Sequence, residues 1–285
     1  MRIILVGFGT VGRSFARILE RDKDRIIREY GFEPQITTIV DSEGYCHDEK
    51  GLDLSLALRV KEKNGTIAKF PRIGRARPNT SRLIENGEAE AVVETTPSNF
   101  RDGEPGLSNI RQALTSKKHV VTVNKGPLAL AMPALTELAK HMDRQLRFSG
   151  TVGGGTPFLS FASKCLPGEK IQGVHGILNG TTNYILTRMQ MSVDYQTALS
   201  EAQEKGYAET DPRNDVEGLD TAAKIVIIAN WVLKRRISLH DVDVTGITKV
   251  TPQHIKKARD SGRTVKLVGR LSETQASVKP EELSS

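Results

Sequence analysis

The chain is poor in the residues that mark several functional classes. Among its 285 residues there are two cysteines, Cys46 and Cys165, far apart and in no metal-ligand spacing. They build neither a disulfide framework nor a thiolate metal site, so buried or idle thiols are expected. One Trp and five Tyr leave little to stack on bases. The formal net charge of +7 is dispersed, because basic residues alternate with acids, as in Glu20-Arg-Asp-Lys-Asp-Arg25. That balance favours small anionic ligands and argues against nucleic acid as a partner. No apolar run approaches the roughly 18 to 20 residues that span a bilayer, and the run at 222–233 is broken by Lys224 and Asn230. No membrane partner is therefore expected. Arg2 leads straight into an apolar strand without a secretory pattern, so a cytoplasmic protein is expected. Internal repeats and low-complexity segments are also lacking.

What the chain does contain is glycine, 25 residues of it, in an α/β pattern of two domains, 1–149 and 150–285. Arg2 to Gly7 reads as a buried strand, Gly7-Phe-Gly-Thr-Val-Gly12 as a tight turn, and Arg13 to Arg28 as a helix with Phe15, Ile18, Leu19 and Ile26 inward. Strand, Gly-x-Gly-x-x-Gly and helix in that order fit a dinucleotide site. Gly7 permits the turn, Gly9 lets backbone approach a pyrophosphate, and Gly12 lets the helix pack closely. The phosphates would lie on the helix start at Thr10 and Val11; the alternative is a glycine turn serving no ligand. The next strand, Gln35 to Val40, ends in Asp41, placed to accept from an adenosine ribose hydroxyl and so to favour NAD. Lys50, Arg59 and Lys61 follow and could instead meet the 2'-phosphate of NADP, so the choice between NAD and NADP stays open.

Residues 42–80 give a short helix over Leu52 to Val60 and a strand or loop over Gly65 to Asn79. Strands are expected over Ala89 to Thr95 and His119 to Val123, with a helix over Leu107 to Ser116. Ligands of open parallel sheets sit beyond the carboxyl ends of the strands, which puts Thr95, Thr96 and Pro97, and then Asn124 and Lys125, beside the cofactor. Lys125 is alternatively a surface lysine in a turn. Pro127 starts the next helix, and Leu146 to Ser149 closes the domain.

In the second half, Gly150-Thr-Val-Gly-Gly-Gly-Thr-Pro157 implies close backbone approach. A helix over Phe158 to Lys164 and a strand over Glu169 to Leu178 follow, with His175 structural. Asn179-Gly-Thr-Thr-Asn183 is a polar turn whose threonines cap a helix or whose Thr182 and Asn183 face a substrate. Gly206 ends a helix over Tyr195 to Lys205. The stretch 206–224 then sets Glu209, Asp211, Asp215, Glu217, Asp220 and Lys224 ahead of the apolar run Ile225-Val-Ile-Ile-Ala229. From Glu217 to Lys234 the spacing is helical, with Asp220 and Lys224 four apart on one face. Either this is an exposed ion pair, or the loop holds a small zwitterion beside a proton-transfer group. Thr251 caps a helix, Arg263 to Leu271 reads as a strand, and Ser272 to Ser285 as a polar, frayed tail.

Taken together, several of these pieces resemble the homoserine dehydrogenase family. They are Gly7–Gly12, Glu94-Thr-Thr-Pro97, Val123-Asn-Lys-Gly-Pro127, Gly150–Pro157, Gly176-Ile-Leu-Asn-Gly-Thr-Thr-Asn-Tyr-Ile-Leu186 and, most specific, Ala202 to Lys224. The resemblance implies NAD- or NADP-dependent interconversion of homoserine and aspartate 4-semialdehyde, in the biosynthesis of threonine, methionine and isoleucine. It implies a Rossmann-like dinucleotide-binding domain, and a second α/β sheet domain that binds substrate and builds a homodimer. Carried over by motif, Lys224 and Asp220 are the catalytic pair and Lys125 stands beside the nicotinamide. Glu209 and Asp215 meet the substrate's amino end, with Gly180 and Asn183 also at the substrate.

Many family members respond to a monovalent cation, here expected near Val152 and Gly154, although Ser149 stands where a carboxylate is often found. The family usually continues beyond the position of Ser285, so a short form is expected. The rivals are a related dehydrogenase of another small amino acid, such as aspartate, and a dinucleotide-binding regulatory protein without turnover. Replacing Lys224 with Ala should lower kcat by at least about 10²-fold, the usual scale for a positioned acid/base group; steady-state rates that match the parent would remove Lys224 from the chemistry.

Overall fold

A computed structural model describes residues 1–284, in two compact units that divide after Thr151. The first unit runs β1 (Arg2–Val6), α1 (Thr10–Arg21), α2 (Lys23–Tyr30), β2 (Gln35–Val40), β3 (Gly44–His47) and α3 (Leu54–Asn64). It continues with β4 (Gly74–Ala76), α4 (Thr80–Asn86), β5 (Ala91–Glu94), α5 (Gly106–Thr115), β6 (His119–Thr122), α6 (Lys125–His141) and β7 (Leu146–Arg147). Among the described residues these form one seven-stranded sheet in the order β4-β3-β2-β1-β5-β6-β7. The run from β2 to β7 is parallel, and β3 and β4 add antiparallel to its edge. Strand order reverses at β1, between β2 and β5, which is the switch point where a Rossmann-like sheet opens its ligand crevice. Ile3 to Val6 and Ala91 to Glu94 are buried throughout, as strands covered on both faces must be.

The helix expected over Arg13 to Arg28 is two helices that break at Asp22, whose carboxylate binds both Arg21 and Arg25. Ile18 is not inward but 47 % exposed; the buried stripe of α1 is Gly12, Ala16 and Leu19. Gly12 and Ala16 join Leu19 in that stripe, their small size letting the helix lie close against the sheet. In the poorly legible 42–80 stretch, a Cβ on Gly44 would stand 2.4 Å from the Ala68 side chain, and one on Gly74 would stand 2.4 Å from the Ala68 carbonyl oxygen. A 3-10 turn at Ile67–Lys69 therefore packs directly on the β3–β4 ribbon.

The second unit contains α7 (Phe158–Cys165), β8 (Gly173–Gly176), α8 (Gly180–Gln190), α9 (Tyr195–Glu204), α10 (Arg213–Val216) and α11 (Leu219–Trp231). It ends with β9 (Asp243–Val244), α12 (Pro252–Asp260), β10 (Arg263–Ser272) and β11 (Ala276–Ser284). Its described strands form a four-stranded sheet in the order β8-β10-β11-β9. The frayed tail expected from Ser272 onward is instead β11, paired antiparallel to β10 from Arg263↔Ser284 to Leu271↔Ala276. Pro280 and two glutamates gave the segment a polar look, yet Ala276, Ser277 and Val278 are buried.

Helix α11 is the core of this unit, buried from Asp220 to Ala223 and again from Ile225 to Ala229. Gly269 of β10 makes room for it, since a Cβ there would stand 3.0 Å from Ile225. Among the described residues no helix is long and apolar enough to cross a membrane. Val278→Ala, which deletes fully buried methyls, should destabilise the protein by about 2–3 kcal/mol through lost transfer energy and a residual cavity. Denaturant unfolding measures this, and no change would mean that β11 is not part of the cooperative core.

Candidate active site

In the first unit the glycine turn is dictated by contacts. Gly7 has φ +95°, and a Cβ on it would stand 2.6 Å from the Thr95 backbone carbon. On Gly12 it would stand 2.1 Å from the Gly7 carbonyl oxygen. Around Gly9 the same test meets nothing within 4 Å. This is the one glycine of the three whose missing side chain leaves open space. Gly9 also precedes α1 without a side-chain cap, so the N–H groups of the first turn, with exposed Thr10 and Val11, face that space. A helix start with open donors and a bare backbone approach fits a pyrophosphate. Thr95 braces the turn from β5, donating to the Gly7 carbonyl at 2.7 Å.

Asp41 sits at the expected place, but its carboxylate is already engaged. Oδ1 accepts from the backbone of Glu43 at 3.0 Å and Gly44 at 2.9 Å and from the Thr66 hydroxyl at 3.2 Å. Oδ2 accepts from Lys61 at 2.6 Å and from the Ile67 backbone at 2.8 Å. Burial pushes this carboxyl up, and the Lys61 ammonium with the three backbone donors more than reverses that, leaving it below the usual range. These bonds give Asp41 a structural role. It anchors α3 and the 3-10 turn to the end of β2.

The tails of β5 and β6 are joined. Asn124 caps α6, its Oδ1 accepting from Gly126 N–H at 3.0 Å while Nδ2 donates to Thr96 Oγ1 at 3.1 Å and Pro97 O at 3.2 Å. Lys125 is not in a turn but is the first residue of α6, two positions before the start expected at Pro127, with its backbone N–H on Ser98 Oγ at 3.0 Å. Beneath them lies Glu94, buried under hydrogen bonds from Thr96, Thr122 and Asn124.

In the second unit one amide organises the acidic stretch. Asn179 Nδ2 donates to Asp215 Oδ1 at 2.6 Å and to Asp220 Oδ2 at 2.9 Å. Its Oδ1 accepts from Thr182 N–H at 2.8 Å and caps α8, so Asn179 and not a threonine is the cap. Lys224 Nζ donates to Asp220 Oδ2 at 2.6 Å and to the Leu178 carbonyl at 2.5 Å. The pair is largely buried, not the exposed i,i+4 bridge that was the ordinary alternative. Asp220 stands in the first turn of α11, where the helix start favours negative charge. Burial is the chief cause that holds the Asp215 carboxyl above its ordinary range, helped by Asp220 and opposed by Asn179 and Lys224. Two carboxyls, one amide and one ammonium form a cluster whose negative groups outnumber its positive one.

Not every expected residue joins it. The Glu209 side chain is exposed, and among the described residues no hydrogen bond or ion pair ties it to the cluster. It lies just beyond Tyr207, whose carbonyl is held by Thr181 Oγ1 at 2.5 Å. Asn183 turns to β10, accepting from Lys266 at 2.7 Å. Gly180 opens α8 with empty space around its Cα. Val152 is buried, and Gly153 and Gly154 follow with φ +82° and +56°. Among the described residues no group of three His, Cys, Asp or Glu could hold a metal ion. Cys46 is buried, which pushes its thiol up to about 12, and Cys165 is exposed. The parts that sequence reasoning left without a role are the clamping amide of Asn179 and the Glu94–Thr122 pair. An acid ending an otherwise apolar strand, Ala91-Val-Val-Glu94, was the available signal for the second.

Comparison with known proteins agrees with this geometry. Residues 7–149 match the family model described as homoserine dehydrogenase, NAD binding domain, and residues 157–285 match the model described as homoserine dehydrogenase. A homoserine dehydrogenase of Methanocaldococcus jannaschii is 45 % identical over 98 % of this chain and 83 % of its own length. An NAD(+)-dependent homoserine dehydrogenase of Pseudomonas canavaninivorans is 37 % identical over 100 % of this chain and 82 % of its own. A solved hyperthermophilic archaeal homoserine dehydrogenase in complex with NADPH superposes with a TM-score of 0.86 at 29 % identity, covering 100 % of this chain and 82 % of that one.

The raised Asp215 carboxyl has a consequence for stability. A folded-state value above the unfolded one means that the group's favourable contribution is complete below the unfolded value, about 3.9, and is lost as pH rises through the folded value. That contribution is therefore largest in acid and declines as pH rises. Asp215→Asn should raise the unfolding midpoint at pH 7, with the difference shrinking as pH falls below 4. A lower midpoint at pH 7 would contradict the assignment.

Proposed function

The chain belongs to the homoserine dehydrogenase family, and as such it is an NAD(P)-dependent oxidoreductase; we propose how its residues divide the interconversion of homoserine and aspartate 4-semialdehyde. The first unit would hold the dinucleotide. Backbone N–H groups at Gly9, Thr10 and Val11 would bind the pyrophosphate, and the Thr95–Pro97 and Asn124–Lys125 tails would serve the nicotinamide end. When bound, NAD or NADP supplies the hydride acceptor in the oxidative direction and the donor in the other.

The second unit would hold the amino acid. The Asp215 and Asp220 carboxylates carry one more negative charge than Lys224 balances, and the substrate ammonium supplies the missing positive charge at Asp215. Glu209, exposed on the same loop, would join on docking. Lys224 uses two of its three protons on Asp220 and Leu178. The third position is the one that exchanges: as the free amine Lys224 takes the alcohol proton there during oxidation, and as the ammonium it gives that proton to the developing alkoxide during reduction. Asp220 fixes the direction in which Lys224 points, and Lys125 would serve the nicotinamide end in the first unit. The observation that carries this reading is the Asn179 amide holding both carboxylates beside Lys224.

The chain's preference between NAD and NADP is left to measurement, since Asp41 is engaged internally, one relative is named NAD(+)-dependent and another was solved with NADPH. A homodimer and a cytoplasmic setting belong to the same proposal. An alkali cation on the carbonyls near Val152 and Gly154 would show as faster turnover in potassium than in tetramethylammonium salts.

The deciding experiment is the initial rate of NAD and NADP reduction by homoserine on the purified chain, with aspartate as the competing substrate. Reduction with homoserine and not with aspartate is expected. Dinucleotide binding without homoserine-dependent reduction would favour a regulatory protein, and turnover of aspartate alone would favour the related dehydrogenase.

A further inference from the structure

Glu94 has no part in the chemistry above, yet it is 0 % exposed at the carboxyl end of β5. Donors surround it. Oε1 accepts from the Thr96 backbone N–H at 3.0 Å and from the Thr96 hydroxyl, and Oε2 accepts from the Thr122 hydroxyl at 3.1 Å. A hydroxyl has a single proton, so each threonine that donates to Glu94 shows only lone pairs to its other neighbour. That neighbour is Asn124 in both cases. Its backbone N–H donates to Thr122 Oγ1 at 3.0 Å, and its side-chain Nδ2 donates to Thr96 Oγ1 at 3.1 Å. Two relays thus run from Asn124 through a threonine hydroxyl to Glu94, beside the direct donation from the Thr96 N–H. The direction holds only while Glu94 accepts at both oxygens.

We propose that Glu94 is a positioning residue for the nicotinamide end of the cofactor, fixing through Thr96 and Thr122 the attitude of Asn124 and hence the start of α6 at Lys125. This rests on reading the first unit as the dinucleotide site. Burial is the chief influence on the Glu94 carboxyl and holds it above its ordinary range, opposed by the Thr96, Thr122 and Asn124 donors. A carboxamide of the same size fails on chemistry and not on shape. Its NH₂ group would face either the two donors of Thr96 or the Thr122 hydroxyl. In the second case that hydroxyl would accept from both the carboxamide and the Asn124 N–H, and its own proton would lose the acceptor that Glu94 provides. The cradle at Gly9 and the start of α1 lies on other strands and does not take part in this set of hydrogen bonds.

The test separates the nicotinamide end from the remainder of the cofactor. NADPH and 2'-phospho-ADP-ribose, and likewise NADH and ADP-ribose, are titrated calorimetrically into the parent chain and into Glu94→Gln. For whichever pair the parent binds more tightly, the variant should lose about tenfold in affinity for the intact dinucleotide, the scale of a lost hydrogen bond to a charged group. The fragment lacking nicotinamide should bind as before. Equal losses for both ligands, or none for either, would overturn the proposal, because a carboxyl that merely fills space makes no such distinction. If Glu94→Gln does not fold, Thr122→Val decides in its place. It removes one relay hydroxyl and should give the same selective loss at about three- to fivefold, whereas an unselective pattern would count against Glu94. Homoserine oxidation by the parent is recorded in parallel; its absence would remove the dehydrogenase reading while leaving the binding comparison valid.

Discussion

The side-chain amide of Asn179 sets the second unit's chemistry, because it must face two carboxylates at once. Turned over, it would present its oxygen to Asp215 and Asp220 and its NH₂ to the Thr182 N–H, so only one orientation satisfies every neighbour. The same group therefore caps α8, ties α10 to α11 through the two acids, and leaves Lys224 to neutralise only one of them. Buried like charges repel and shed solvation only at considerable expense in free energy. A cluster of this kind is unfavourable in isolation and becomes favourable when a cation completes it, which is the basis for proposing that it binds an ammonium.

The first unit follows the same logic with neutral groups. Its turn is bare where a ligand would approach, at Gly9, and closed where backbone meets backbone, at Gly7 and Gly12. Its strand tails are locked by hydrogen bonds whose directions are all determined, so the donors and acceptors left over are few and fixed. Preorganisation of this kind lets a site act without rearranging at the moment of reaction. In both units the side chains that touch the ligand would be held by buried polar groups whose own partners are complete.

Much of this was legible in the sequence, and the parts that were not share a cause. Continuous apolar runs marked β1 and β2, and the glycine spacing marked the turn between β1 and α1, since each is a local property of the chain. The β3–β4 ribbon was hidden because strands of three and four residues carry too little alternation to read. Strand β11 was hidden because one of its faces is polar. Asp41 was found at the end of β2, but the bonds that Lys61, Thr66 and Ile67 bring to it from 20 to 26 residues away were not. Asp215 and Asp220 were picked out by composition, but the amide that unites them lies 36 residues before the first. Contacts at that separation are invisible to periodicity.

The central claim is that the excess negative charge around Asn179 waits for a substrate ammonium. It is tested most directly by comparing kcat/KM for homoserine with that for 4-hydroxybutanoate, which keeps the alcohol and the carboxylate and lacks only the amino group. A site built around an ammonium should discriminate by at least about 10²-fold, since its buried carboxylate is left unpaired by the analogue. Comparable values for the two alcohols would contradict the account.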